Sequence, residues 1–424
     1  LDFGLVKSFL RTGTVPAEDF WFAGEPVLYY FGGHLLVSQQ IRLLGTAPGV
    51  AYNLALAGVF ASYVTAAYGL AGNVAARGDT FERRAALLGA FFVGFASNLF
   101  TPLRILLRPL PDGLAEPIAR TLDVWAGRFG QEGALITDRT PFSMWDATGV
   151  VDGTIHEMPI FAFVNGDLHA HMMAPPFTLL LATALFAYVR TPATERRRRR
   201  ALLFGVVPAI GGALAVVNTW SFFATGGLTA LVVLFDGDAP ATLLPARVRG
   251  LLQPETSPRA ALARLGIAAG AGLATGVLAV LLSLPFWLGQ VGGRSVGLFP
   301  DRSSLPALLV VHGTFLLPVA LYLGYLAWAR FDLSRGRLGA LVAGTLGWVA
   351  LTAVLDLAVL GVTVPLLAAG YLLGARVTRP YREPLPAEGD AARLPGFELV
   401  LLLGALGLML LVEFVYLQEH AGVG

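Results

Sequence analysis

The residues best suited to chemistry in this chain lie in one short stretch, Asn165-Gly166-Asp167-Leu168-His169-Ala170-His171. Asp167, His169 and His171 alternate, so an extended or turning backbone would present one carboxylate and two imidazoles on the same side. Such a set suits a divalent cation such as Mg or Mn, or a phosphate group, equally well. Just upstream, His156-Glu157-Met158-Pro159 adds Glu157 and another imidazole, and Asn165 adds an amide. The plainer reading is a helix cap with surface histidines. Apolar sequence follows directly, however, and an Asp at the centre of a membrane helix costs about 2.5 to 3.5 kcal/mol on insertion scales. Ionisable groups packed this densely beside a span therefore need partners.

A second group lies near the start: Asp2, then Glu18-Asp19-Phe20-Trp21, then Tyr29-Tyr30-Phe31-Gly32-Gly33-His34. Asp2, Glu18 and Asp19 are candidate general bases. Trp21, Tyr29, Tyr30 and His34 could stack on or hydrogen-bond to a substrate, although an aromatic belt at the lipid interface accounts for the Trp and Tyr equally well. It does not account for the acids. Farther along, Arg294, Asp301 and Arg302 suit an anionic ligand, Asn218-Thr219-Trp220 reads as a polar cap at a span end, and Asp356 as a turn. With no cysteine, thiolate nucleophiles and Cys-ligated metal sites are excluded. Neither a phosphate-cradling loop, a dinucleotide fingerprint nor an H-E-x-x-H helix is present.

The elements that must position these residues are membrane spans. Of the 424 residues, 55% are hydrophobic and 14% charged, about half the charge that a soluble surface carries. Apolar runs long enough to cross a bilayer fall near 50–71, 84–102, 171–189, 201–218, 222–236, 265–288, 306–329, 339–355, 357–375 and 397–417. Tyr29–Leu44 is shorter and reads as a re-entrant or interfacial helix. The expectation is an all-α polytopic integral membrane protein of about ten spans, a single membrane domain over 1–424. Its outer loops, 1–49 and 103–170, would carry the site.

Orientation follows from the arginines. Alternate connections hold most of the basic residues, including the run Arg196–Arg200, and short basic loops are retained in the cytoplasm. That run reads as a topology anchor near anionic lipid, and a net charge of +2 gives no reason to invoke nucleic acid. The opposite side is acidic, and all six histidines fall on it or in the outer half of a span. Gly266, Gly270, Gly272 and Gly276 have the small-residue spacing of close helix contacts.

The succession LDFGLVKSFLR, EDFWFAGEPVLYYFGGHLL, HEMPIFAFVNGDLHAHMMAPPF, NTW and FPDRSSLPALLVVHG resembles the archaeal and Chloroflexota YYY membrane-protein family, a domain of unknown function, over essentially the whole chain. Two departures stand out: the tyrosine triplet reads Tyr29-Tyr30-Phe31, and Ser221 follows NTW where the family pattern has Asp. Family members are longer at both ends, which implies that a first span and a C-terminal part lie outside this sequence. The family is in turn distantly similar to GT-C glycosyltransferases. That similarity implies a catalytic carboxylate just after a first span, here Asp2 or the Glu18-Asp19 pair.

The resulting expectation is a cell-membrane glycosyltransferase with its site on the extracytoplasmic side. It would move a sugar from a polyprenyl-phosphate donor to a glycan, protein or lipid acceptor, with inversion. Asp2 or Asp19 would be the base, and His169, His171 and Arg302 would hold the leaving phosphate, directly or through a metal on Asp167. The competing expectations are a transporter or flippase for an anionic lipid or solute, and a non-catalytic envelope-organising membrane protein.

Overall fold

The computed structural model describes residues 1–76, 80–122, 144–151, 156, 158–249, 258–289, 295–298, 302–330, 334–377 and 396–418. Among the described residues the fold is mainly helical, with one two-stranded antiparallel ladder pairing Ser295–Leu298 with Val415–Gln418 and an isolated bridge between Glu18 and Pro26. Among the described residues, seven helices are long and apolar enough to cross a membrane: Pro48–Val74, Ala170–Arg190, Arg196–Val217, Ala261–Leu282, Leu305–Ala329, Arg335–Val354 and Phe397–Phe414. Thr219–Phe235 and Ala358–Gly374 are shorter apolar helices. Together they coincide with nine of the ten apolar runs in the sequence. This is an all-α polytopic membrane protein.

The tenth run, 84–102, does not form one helix. Arg83–Gly94 is helical for 12 residues, about 18 Å at 1.5 Å per residue, too short for a core of about 30 Å. A separate helix, Phe100–Leu107, follows. In the connection between them lies Asn98, whose buried side chain donates to the carbonyl of Ala147 (2.7 Å) and accepts from the Phe100 amide (3.1 Å). Its side chain thus serves a distant carbonyl and the first amide of the second helix, bonds that hold the connection out of a continuous helix.

The described residues divide into two compact units. One comprises Leu1–Gly94, Ala162–Gly292 and Gly374–Leu401; the other comprises Phe95–Phe161, Gly293–Leu373 and Leu402–Gly424. In the first, Leu181, Leu185, Tyr188, Leu203, Val207, Leu214 and Val233 form the fully buried centre. Two helices there touch backbone to backbone. A Cβ on Gly272 would lie 2.6 Å from the Gly226 carbonyl oxygen, so glycine permits the approach. Of the four glycines spaced for such contacts, only Gly272 makes one; added Cβ atoms on Gly266, Gly270 and Gly276 would meet open space.

The arginine run is sorted by partner. Arg199, 2% exposed, is ion-paired with Asp236 and stacks over the Tyr188 ring at 4.3 Å, and the Tyr188 hydroxyl donates to the same carboxylate at 2.7 Å. Arg200 donates to the Thr242 carbonyl at 2.9 Å, and Arg198 pairs with Glu195 at 3.3 Å. In the second unit, Arg104 and Asp146 form a buried pair at 3.1 Å. Asp356 adopts φ 54° in the turn between two apolar helices, where a short polar side chain tolerates the left-handed region. Asn218 caps the helix that follows it, accepting from the Trp220 amide at 3.3 Å. Its side-chain amide also donates to Ser221 at 3.3 Å.

Candidate functional site

The site is built in the first unit by two segments distant in sequence. The amphipathic helix Asp2–Arg11 buries Asp2, Leu5, Val6, Ser8 and Phe9 on one side. The helix Gly32–Leu44 packs close because its first residues lack side chains. A Cβ on Gly32 would sit 2.9 Å from the backbone of Val216, and one on Gly33 2.4 Å from Met173. That helix ends at Gly45, in the left-handed conformation at φ 63° that glycine adopts without strain. The approach brings His34 against Asp2, with the His34 Nε2 to Asp2 Oδ1 distance 2.8 Å.

Both groups are buried, His34 at 0% and Asp2 at 5% exposure. Burial opposes ionisation of Asp2. It is outweighed by the hydrogen bond and charge of His34, a hydrogen bond with Asp167 and the charge of His169, which together hold the carboxyl at about 2. An ionised carboxylate only accepts, so His34 donates from Nε2. His34 Nδ1 is buried and has no hydrogen-bond partner among the described residues.

The second segment is 165–173. A turn containing Gly166, at φ 78°, leads through Asp167 and Leu168 into the short helix Ala170–Met173. Leu168 is fully buried, and its amide donates to the Tyr52 hydroxyl at 3.0 Å. The phenol reaches this loop from the helix Pro48–Val74 and pins its backbone. Asp167 thereby faces Asp2. The two carboxylates, with Tyr52, Asn53, Asn165, Gly166, Gly49 and the first three residues, line one cavity of about 460 Å³.

The histidines of this segment turn a different way. His169 Nδ1 lies 2.8 Å from His171 Nδ1, and His169 Nε2 lies 3.2 Å from the Tyr29 hydroxyl. In the first contact one ring must donate and the other accept, so the two facing nitrogens share a single proton. Asp167 thus hydrogen-bonds Asp2, while His169 and His171 contact each other. Among the described residues no three His, Asp or Glu side chains are arranged to hold a metal ion.

The remaining candidates are placed as follows. Tyr29, which lies beside His169, packs on Tyr30 with ring centroids 4.0 Å apart. Glu18 and Asp19 close a turn: Glu18 accepts from the Gly24 amide at 3.0 Å, and Asp19 Oδ1 accepts from the Trp21 and Phe22 amides at 2.7 and 3.2 Å. Those carboxylates are occupied as local caps. Trp21 projects outward, 76% exposed. Arg302 belongs to the second unit, where it lies 4.6 Å above the Phe414 ring and donates to the Glu413 carbonyl at 3.4 Å. Glu157, Arg294 and Asp301 lie outside the described residues. Tyr52 and Asn53 are the cavity residues with polar side chains that the sequence did not single out. A hydroxyl and an amide at the very start of an otherwise apolar span were the available signal.

The spans and this polar pocket define a polytopic helical membrane protein with a buried acid–histidine pair in one of its units. A family model described as Uncharacterized membrane protein (DUF2298) matches residues 1–424, and the chain belongs to that family. Searches of curated proteins and of solved structures return no match.

Proposed function

We propose that this protein is a glycosyltransferase that uses a polyprenyl-phosphate sugar, with its site on the extracytoplasmic face of the cell membrane. One observation carries the reading: Asp2 and Asp167, from opposite sides of a long stretch of chain, line one cavity together with neutral hydrogen-bonding groups. The cavity has the volume expected of a small-molecule site. Carboxylates beside amides and a phenol form a lining suited to sugar hydroxyls.

In this reading the acceptor hydroxyl donates a hydrogen bond to Asp2. Its oxygen attacks the anomeric carbon as the bond from that carbon to the lipid phosphate breaks, and the hydroxyl proton passes to the carboxylate. The ionised Asp2 also offsets the positive charge that develops on the sugar ring. The Tyr29, His169 and His171 group, beside the same segment, supplies donors for the departing phosphate.

The test is transfer of a labelled sugar from a polyprenyl-phosphate donor by the purified full chain. Asp2→Asn removes the proton acceptor while keeping the shape, and should lower transfer at least a hundredfold, the lower end of what a general base contributes. Asp19→Asn keeps its turn-capping oxygen and should remain active. Full transfer by a folded Asp2→Asn protein would end the proposal.

A further inference from the structure

A second cavity in the first unit lies well apart in character from the polar one. About 480 Å³ in volume, it is lined by Phe177 and Leu180 on the helix Pro175–Arg190 and, on the facing helix, by Ala201, Gly205, Val206, Ala209, Ile210 and Ala213. Ala201, Gly205, Ala209 and Ala213 recur every four residues, so they form a floor of small side chains along one face. The floor runs for about 18 Å at 1.5 Å per residue. The aromatic and aliphatic side chains of Phe177 and Leu180 form its wall. Leu202–Val206 is a π-helical turn placed just ahead of Pro208, which has no amide to bond the preceding carbonyl.

One step of four residues before Ala201 is Arg197, on the same face. Arg198, Arg199 and Arg200 are each engaged with protein groups, but Arg196 and Arg197 are exposed and make no hydrogen bond or ion pair among the described residues. The helix face that carries the apolar trough therefore continues into Arg197, with Arg196 next to it at the start of the helix. A phosphate oxygen pair matches a guanidinium fork, and an extended acyl chain matches the trough in both length and polarity.

We infer that this groove is a binding site for an anionic phospholipid of the leaflet that faces the arginine run, its phosphate on Arg196 and Arg197 and one acyl chain lying along Ala201 to Ala213. Charge complementarity selects this occupant over a zwitterionic lipid. The inference does not depend on the sugar-transfer reading, since it uses neither cavity residues nor carboxylates of that site.

Native mass spectrometry of the full chain, delipidated and then titrated with phosphatidylglycerol or phosphatidylcholine, tests it. The wild-type chain should retain phosphatidylglycerol in preference. Each arginine removed should cost roughly fivefold in retention, from about 1 kcal/mol per basic residue at an anionic surface. Arg196→Gln with Arg197→Gln should therefore abolish the preference, while Lys at both positions restores most of it. Ala209→Leu fills the floor and should lower retention of phosphatidylglycerol with both arginines present. Equal retention of the two lipids by the wild-type chain would overturn the inference. So would a preference that survives in both the Gln double variant and Ala209→Leu. The Gln variants alter only exposed side chains, so a loss of preference with an unchanged melting temperature reports binding and not folding.

Discussion

Replacing His34 with Ala separates the two forces that act on Asp2. In the folded chain burial pushes the carboxyl toward its neutral form, and the largest opposing contributions come from His34. With a folded value of about 2 against an ordinary 3.8, Asp2 contributes about 2 kcal/mol of stability, at about 1.4 kcal/mol per pH unit. Because the folded value is the lower one, that contribution is complete above about pH 4 and is lost as pH falls toward 2. Without the imidazole, burial remains and its main counterweight is gone, so the folded value rises above 3.8 and the sign of the linkage inverts. The variant should lose stability relative to the wild type as pH rises from about 4 to 7, a range in which Asp2 of the wild type adds no slope. At pH 7 the loss should be about 3 to 5 kcal/mol, the cost of stranding a buried charge. The assay is thermal unfolding of the detergent-solubilised chain at half-unit steps from pH 4 to 8. His34→Gln, which can still donate one hydrogen bond, should recover part of the loss. A His34→Ala protein with wild-type stability and an unchanged acid profile would refute the argument that the pair holds Asp2 ionised.

Two further outcomes follow from the packing of the first unit. Arg199→Ala leaves the Asp236 carboxylate and the Tyr188 hydroxyl buried without their cation, and should destabilise by about 3 to 5 kcal/mol; Arg199→Met with Asp236→Leu should recover most of that in the same thermal assay. Gly272→Leu drives a side chain into the Gly226 carbonyl, and should cost at least the 1 to 3 kcal/mol of an overpacked contact, whereas Gly276→Leu, with open space before it, should melt with the wild type.

Hydropathy located nine apolar helices, seven of them long enough to cross a membrane, because their apolar runs are long. It failed at 84–102, where the helix stops at Gly94 and Asn98 in the connection bonds a carbonyl far away in sequence; hydropathy records the polarity of that residue but not its partner. The short helix Gly32–Leu44 was legible from its length alone. Within the site, Asp2, His34, Asp167, His169 and His171 all stood out as ionisable groups beside apolar sequence. Their pairing did not. Alternation from Asp167 to His171 suggested a common direction, but the turn at Gly166 and the helix begun at Ala170 break the extended backbone on which that geometry relies. The contact of His34 with Asp2 depends on Gly32 and Gly33 fitting against Val216 and Met173, a tertiary fit that spacing cannot express. The acids at 18 and 19 stood only slightly behind Asp2; their hydrogen bonds to nearby amides distinguish a turn-closing carboxylate from one held beside an imidazole.

The phenol of Tyr52 ties the polar cavity to the membrane-spanning part of the fold. It is carried by a 27-residue helix, about 40 Å long and long enough to cross a hydrocarbon core of about 30 Å. Its hydroxyl holds the backbone beside Asp167, while Asp2 is held by His34 on a helix of 13 residues, too short to cross. One carboxylate is thus anchored from a span and the other from a helix that is not one.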